Sequence, residues 1–479
     1  MKRLLSLLLL VVATLGISAQ TTKLPVLKVN VDGKFSKTMT DYLLGSMELT
    51  DTDGSTVTMP AKFKIRGATA AEFTGKPSLN MKLRDATYEN SADSALLGMR
   101  SCSSWILDAM AIDRICMRNR VAMDMWNEYA QLPYETDFDS RNGTIGRYVE
   151  VYFNGTKYGT NKYMGVYVLS DRINRKLLNL KKYDEDNKLV RGVLYKNGTE
   201  DISNQNERNF TTDWKAGTIE YHNAWELKEP EDYECEAAWQ PLVDAFDNIK
   251  TYAMAKKYFY LDNLVDFELL TVVLAIEDNW GNKNHYFSIR NIQKNIDDAD
   301  ATEAARRKFV ITPWDLDTSF GGAAKGERYT GGQAYSEWTM EQAVNNGGCF
   351  PFPLCLNQTE YKNLLKNRWL ELRQKTFAYW NVRARLYAYR DLLLNSGVYE
   401  KQKSVQPKYV ADLTTEVDAI VAWYTTVSTR LTSTSVSPTA SRASLRTPRS
   451  MLLQPARPSS TASSSSSRAT TPSPSAARG

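Results

Sequence analysis

The stretch Glu277-Asp278-Asn279-Trp280-Gly281-Asn282-Lys283-Asn284 lies between two contrasting patterns. Before it, Leu264 to Ile276 is apolar nearly all round, as in a deeply buried helix. Asp262 or Asn263 is placed to cap that helix, because their side chains accept its first free N–H groups. After it, Tyr286 to Arg290 reads as a strand, and the charged, alanine-rich residues 293–306 read as a surface insertion. A second strand, Lys308 to Thr312, runs into Pro313-Trp314-Asp315-Leu316-Asp317. A buried helix thus delivers Asp278 to its C-terminal end, Asn284 precedes one strand, and Asp315 and Asp317 follow another.

Phosphoryl transfer needs this kind of order. The transferred group is dense in negative charge, and magnesium is held by hard oxygens, usually one or two carboxylates plus phosphate oxygens. A further carboxylate stands apart to orient the attacking hydroxyl, and an Asn follows it a few residues on. The Asp278-to-Asn284 gap is one residue longer than in the ordinary protein-kinase motif. Asp and Asn are also common at turns, where they hydrogen-bond the backbone, so the spacing alone is a weak signal.

Toward the N-terminus the chain is β-rich. Leu27 to Val31, Lys62 to Arg66 and Leu79 to Leu83 alternate apolar and polar residues, the period of a half-buried strand. Residues 104–130 read as helical. Tyr148 to Phe153 and Tyr163 to Leu169 read as a hairpin around Asn154-Gly155, a strong turn signal. Asp171 opens a helix to about Leu180, and Gly192 to Lys196 reads as a strand. Residues 197–232 are polar and irregular. Helices follow at 236–258, 359–394 and 408–430.

The formal charge of +5 is misleading. Six arginines and no lysine or acidic residue follow Leu431, so the charge is −1 without them, and −3 once Lys2 and Arg3 are set aside. A mildly acidic folded part argues against a nucleic-acid partner. His222 and His285 are the two histidines, which nearly excludes a multi-histidine metal centre, and the five cysteines (102, 116, 235, 349, 355) form no CxxC pair. Cys349 and Cys355 are close enough in sequence to pair across a short loop, and burial as small apolar side chains is the alternative. Lys2, Arg3, the apolar run Leu4 to Leu15 and the Ile17-Ser18-Ala19 cleavage pattern predict a signal peptide over 1–19. With no second long apolar run, the expectation is an exported chain, periplasmic, cell-surface or secreted, without a transmembrane segment after cleavage. Residues 432–479 are rich in Ser, Thr, Pro and Arg and read as a disordered tail.

Several pieces resemble the CotH family of atypical, spore-coat-type protein kinases. Arg66-Gly67-Ala68-Thr69, Gly75-Lys76-Pro77-Ser78 and Met81-Lys82-Leu83 are similar to the family's Arg-Gly turn and Lys-Pro strand. Trp105-Ile106-Leu107 with Asp113 and Arg118-Asn119 resembles its following helix, and Asn154-Gly155 with Gly165 to Leu169 resembles its hairpin. Asp278, Lys283-Asn284 and Pro313 to Gly321 are similar to its catalytic and metal-binding segments.

The resemblance implies an α+β, divergent protein-kinase-like fold. A β-rich N-terminal lobe (24–235) would be followed by a mostly helical C-terminal lobe (236–431). It implies transfer of phosphate from ATP, with Mg2+ or Mn2+, to Ser or Thr of proteins, the chain's own tail at Ser463 to Ser467 being one candidate substrate. Asp278 would be catalytic, Asn284 and Asp315 would hold metal, and Asp317 would be a further metal ligand or a brace for the loop. Lys76 or Lys82, with Lys196 a weaker third, would bind phosphate beside Asp171. Asp171 stands where the family usually has Glu, and its shorter reach weakens an ion pair to that lysine. A catalytically silent binding module with the same fold is the alternative reading.

Overall fold

The computed structural model describes residues 23–436 except 37, 68–74, 135, 198–224, 234, 277–278, 280–283, 295–306, 323–350 and 407–408, and excluding the side chains of 353, 430 and 433–436. The proposed signal peptide and the tail from 437 onward lie outside these residues.

Alternation in the N-terminal third produces seven strands: β1 (Val26–Val31), β2 (Leu43–Thr50), β3 (Thr56–Ile65), β4 (Leu79–Leu83), β5 (Ser104–Asp108), β6 (Gly146–Gly155) and β7 (Gly159–Asp171). Leu27, Phe63, Met81, Leu107, Val149 and Tyr167 fill the interior, while the residues between them face outward. The order is β1-β2-β3-β4-β5-β7-β6, and β1 pairs in parallel with β6, Val26 opposite Glu150, so the sheet closes into a barrel. Closure removes the unpaired edges an open sheet would leave. Gly155 permits the close approach, since a Cβ there would lie 1.9 Å from the Val31 carbonyl oxygen.

This closed barrel corrects the expected two-lobed, protein-kinase-like fold. Alternation identifies a strand but says nothing about which distant strand it pairs with. A second sheet comprises β8 (Val193–Asn197), β9 (Trp225–Glu229), β10 (His285–Ile289) and β11 (Val310–Pro313), in the order β11-β10-β8-β9. The expected division at 235 therefore falls between strands of one sheet.

The helices are α1 (Arg118–Tyr129), α2 (Glu236–Asn248), α3 (Tyr252–Tyr258), α4 (Leu261–Val273), α5 (Phe352–Cys355), α6 (Thr359–Leu372), α7 (Tyr379–Asn395), α8 (Val398–Gln402) and α9 (Leu413–Val436). The outer faces of β6 and β7 (Tyr148, Val166, Val168) join α1, α4, α6 and α9 in one core. Among the described residues no helix is long and apolar enough to cross a membrane.

Several local expectations change: Trp225–Glu229, within the segment expected to be irregular, is β9, and the helices expected over 236–258 and 359–394 are each two, α2 with α3 and α6 with α7. Residues 104–108 are β5, so the helix expected from 104 begins at Arg118. Residues 172–180 form turns instead of a helix, and the Asp171 carboxylate is engaged by Arg100. Neither Asp262 nor Asn263 caps α4. Asn263 is buried and exchanges hydrogen bonds with Ile311, donating to its carbonyl at 3.1 Å and accepting from its N–H at 2.7 Å. That reciprocal pair fixes α4 against β11. Cys102, Cys116, Cys235 and Cys355 are free thiols, and Cys349 lies outside the described residues.

Candidate functional site

The pairing of β10 with β11 sets His285 opposite Pro313, so the residue before one strand and the residues after the other emerge side by side. The Trp314 N–H donates to the Asn284 carbonyl at 2.9 Å, and the Asn284 N–H to Asn197 at 3.2 Å. Asn284 (φ 65°) and Asp315 (φ 58°) both adopt the left-handed conformation. Asn and Asp tolerate it better than other side chains, and such backbone clusters at functional sites.

One buried amide holds both turns. Asn279 Nδ2 donates to the carbonyls of Asn284 (2.8 Å) and Trp314 (3.0 Å). Two carbonyl acceptors fix the amide's orientation. Its Oδ1 is buried with no hydrogen-bond partner among the described residues, a hard oxygen beside Asn284 and Asp315. Asn279 was not singled out from the sequence, although it stands next to Asp278.

The loop after β11 is seated on α1. The Asp113 carboxylate accepts the N–H groups of Met117 (2.7 Å) and Arg118 (2.8 Å) at the helix start and pairs with the Arg118 guanidinium at 2.6 Å. The Asn119 side chain accepts the Leu316 N–H at 3.3 Å and donates to Asp108 at 3.1 Å, and Ser319 Oγ donates to the Arg118 carbonyl. Asp315 and Asp317 stand half-buried on this loop. A hollow beside it is lined by Asp108, Asn119, Arg120, Thr144, Ser170 and Trp314.

Cations converge from the barrel and the second sheet. The Arg66 guanidinium lies 4.9 Å from the Trp314 ring centre, and Trp314 meets Tyr286 edge to face at 6.2 Å. Burial pushes the Tyr286 hydroxyl pKa up, and the positive charges of Arg172, Arg66 and Lys228 oppose that shift. Lys196 and Lys228 both pair with Glu226. Arg172 and Lys228 were not singled out from the sequence, where each looks like an ordinary surface cation, and Arg66 was quoted only as part of the Arg-Gly turn.

The sequence-derived candidates separate. Asn284 and Asp315 come together, and Asp317 sits two residues on. Asp278 and Lys283 lie outside the described residues. Lys76 is fully buried: its ammonium donates to the Ala109 carbonyl (2.5 Å) and Gln406 Oε1 (3.0 Å), and burial lowers its pKa to about 8. Lys82 is half-buried on the outside of β4 over the Tyr42 ring. Asp171 pairs with neither lysine. It is buried, and one oxygen accepts from Arg100 Nε at 2.9 Å and the other from the Ile145 N–H at 2.9 Å. Burial raises its carboxyl pKa against the opposing pull of Arg100.

Carboxylate and amide oxygens are the donors that suit Mg2+ or Mn2+. Among the described residues no group of three or more His, Cys, Asp and Glu could hold a metal by itself.

No curated protein matches the chain. The family model for CotH kinase protein matches residues 63–430, which include Arg66, Asn279, Asn284 and Asp315. A match over that share of its length, running through the paired turns just described, means that the chain belongs to the CotH kinase family.

Proposed function

We propose that this chain is a protein phosphotransferase that uses ATP with Mg2+ or Mn2+ to modify Ser or Thr hydroxyls of exported or surface proteins. The observation that carries the reading is the joining of Asn284 and Asp315 by strand pairing, with Asn279 holding both turns. Asn284 and Asp315 hold the cation, with Asp317 next along the same loop. The bound cation neutralises charge on the phosphates of the nucleotide. Arg66, Arg172 and Lys228 supply fixed positive charge to the same end of the site, where a guanidinium can grip phosphate through two donors. Asp278, six residues before Asn284, orients the acceptor hydroxyl and takes its proton.

A second reading, a silent module that binds but does not transfer, is favoured by Lys76 and Asp171. The lysine is enclosed among neutral oxygens and the carboxylate is committed to Arg100.

Incubation of the full chain with γ-labelled ATP and Mg2+ or Mn2+, followed by mass spectrometry of added exported proteins, tests the proposal. Phosphoserine or phosphothreonine formed by the wild type and not by Asp278→Asn supports it. Nucleotide binding without any transfer leaves the silent module.

A further inference from the structure

The outer face of β3 and β4 carries cations that the paired turns do not use. Ala61, Phe63, Met81 and Leu83 point into the barrel, so Lys62, Lys64 and Lys82 lie on its outside. Their ammonium groups stand 5.3, 5.9 and 5.2 Å from the centre of the Tyr42 ring. Lys62 and Lys82 are direct cross-strand partners, a placement in which like charges repel. Lys64 donates to the Thr40 carbonyl at 2.6 Å. Among the described residues no ion pair joins these three lysines to a carboxylate.

The surroundings add charge of the same sign. The charge of Arg84 acts on Lys62 and Lys82 and that of Arg172 on Lys82, with Glu231 opposing them at Lys82. Burial lowers the pKa of both Lys62 and Lys82. The folded part as a whole is mildly acidic, so the cluster does not simply reflect a basic chain. Half-buried like charges around one aromatic ring are costly unless an anion offsets them.

We propose that this Tyr42-centred lysine face binds an acidic segment of the polypeptide substrate and gives the reaction an acidic sequence preference. The inference rests on the phosphotransferase reading above. Arg66, stacked on Trp314 beside Asp315, follows Lys62 by four residues, about 13 Å at the rise of a strand. An extended substrate would therefore carry its acidic residues roughly four to six positions from the acceptor hydroxyl. The arginine-rich tail is the wrong charge for this face, which disfavours Ser463 to Ser467 as preferred acceptors.

The test is fluorescence anisotropy of a labelled serine peptide with an Asp/Glu-rich flank, measured without nucleotide. The wild type binds it, and the affinity falls as salt screens the charges. Lys62→Gln with Lys64→Gln weakens binding about tenfold, with the melting temperature not lowered and the nucleotide-induced thermal shift unchanged. A peptide spanning residues 455–470 binds more weakly than the acidic one. Undiminished affinity in the double variant, tighter binding of the basic peptide, or displacement of the acidic peptide by ATP alone overturns the proposal. Binding is read without catalysis, so an acidic peptide that binds but is never phosphorylated supports the docking face while refuting the phosphotransferase reading.

Discussion

Trp314 donates its backbone N–H to the carbonyl of Asn284 at 2.9 Å, joining the start of β10 to the exit of β11. Asp315 is thereby held one residue from that bond, although it lies thirty-one positions from Asn284 in the chain. The metal reading depends on this short backbone link more than on the side chains taken singly.

Asn279 is the brace for both turns. Asn279→Leu leaves the Asn284 and Trp314 carbonyls without their donor, a loss of about 1–3 kcal/mol in unfolding free energy. Urea denaturation checks that value. Nucleotide affinity falls as well, because Asn284 and Asp315 lose their shared support, and calorimetric titration with Mn2+ and ATP reads it.

Arg172 follows β7 of the barrel, and its charge acts on the Tyr286 hydroxyl of β10. Arg172→Gln removes a charge-assisted contact to phosphate, worth about 1.5–3 kcal/mol, and so weakens ATP binding by at least about tenfold. The same titration shows it. Unchanged affinity would remove Arg172 from the phosphate-binding set.

Arg100 and Asp171 form a buried pair that holds the end of β7. Arg100→Met leaves the carboxylate buried without its partner and costs about 3–5 kcal/mol. Equilibrium unfolding measures the loss. Were Asp171 instead the ion-pair partner of a phosphate-binding lysine, Arg100→Met would cost little stability.

Lys76 gives a pH signature. Burial lowers its pKa from the usual 10.5 to about 8. Between those values the unfolded chain holds a proton that the folded chain has released, so stability rises with pH through that window. The full contribution is on the order of 3 kcal/mol. The stability difference between wild type and Lys76→Met therefore shifts in the wild type's favour between pH 8 and 10.5, read from melting temperatures of both proteins across that range, and the nucleotide-induced shift stays in place.

The approach of Asn284 to Asp315 was legible because strand–turn chemistry is local: a polar residue stands before one apolar run and after the other. The buried character of α4 was equally legible from Leu264 to Ile276. The barrel was not, since β1 and β6 pair across more than a hundred residues and nothing in Val26–Val31 names its partner. Ser104–Asp108 read as helix because a short apolar run fits either period. Asp171 looked like a helix cap, but its oxygens go to Arg100 and Ile145. Arg66, Arg172 and Lys228 gain meaning only when Trp314 and Tyr286 are brought to them.

The most direct test of the central claim is a thermal-shift titration of wild type and Asp315→Asn with ATP, with and without Mn2+. Asn tolerates the left-handed backbone at this position, so the unliganded variant melts close to the wild type. A ligand that binds the native state raises its stability. The account predicts a metal-dependent rise with ATP in the wild type and its loss in Asp315→Asn. An equal rise in both proteins, or none in the wild type under either condition, would contradict it.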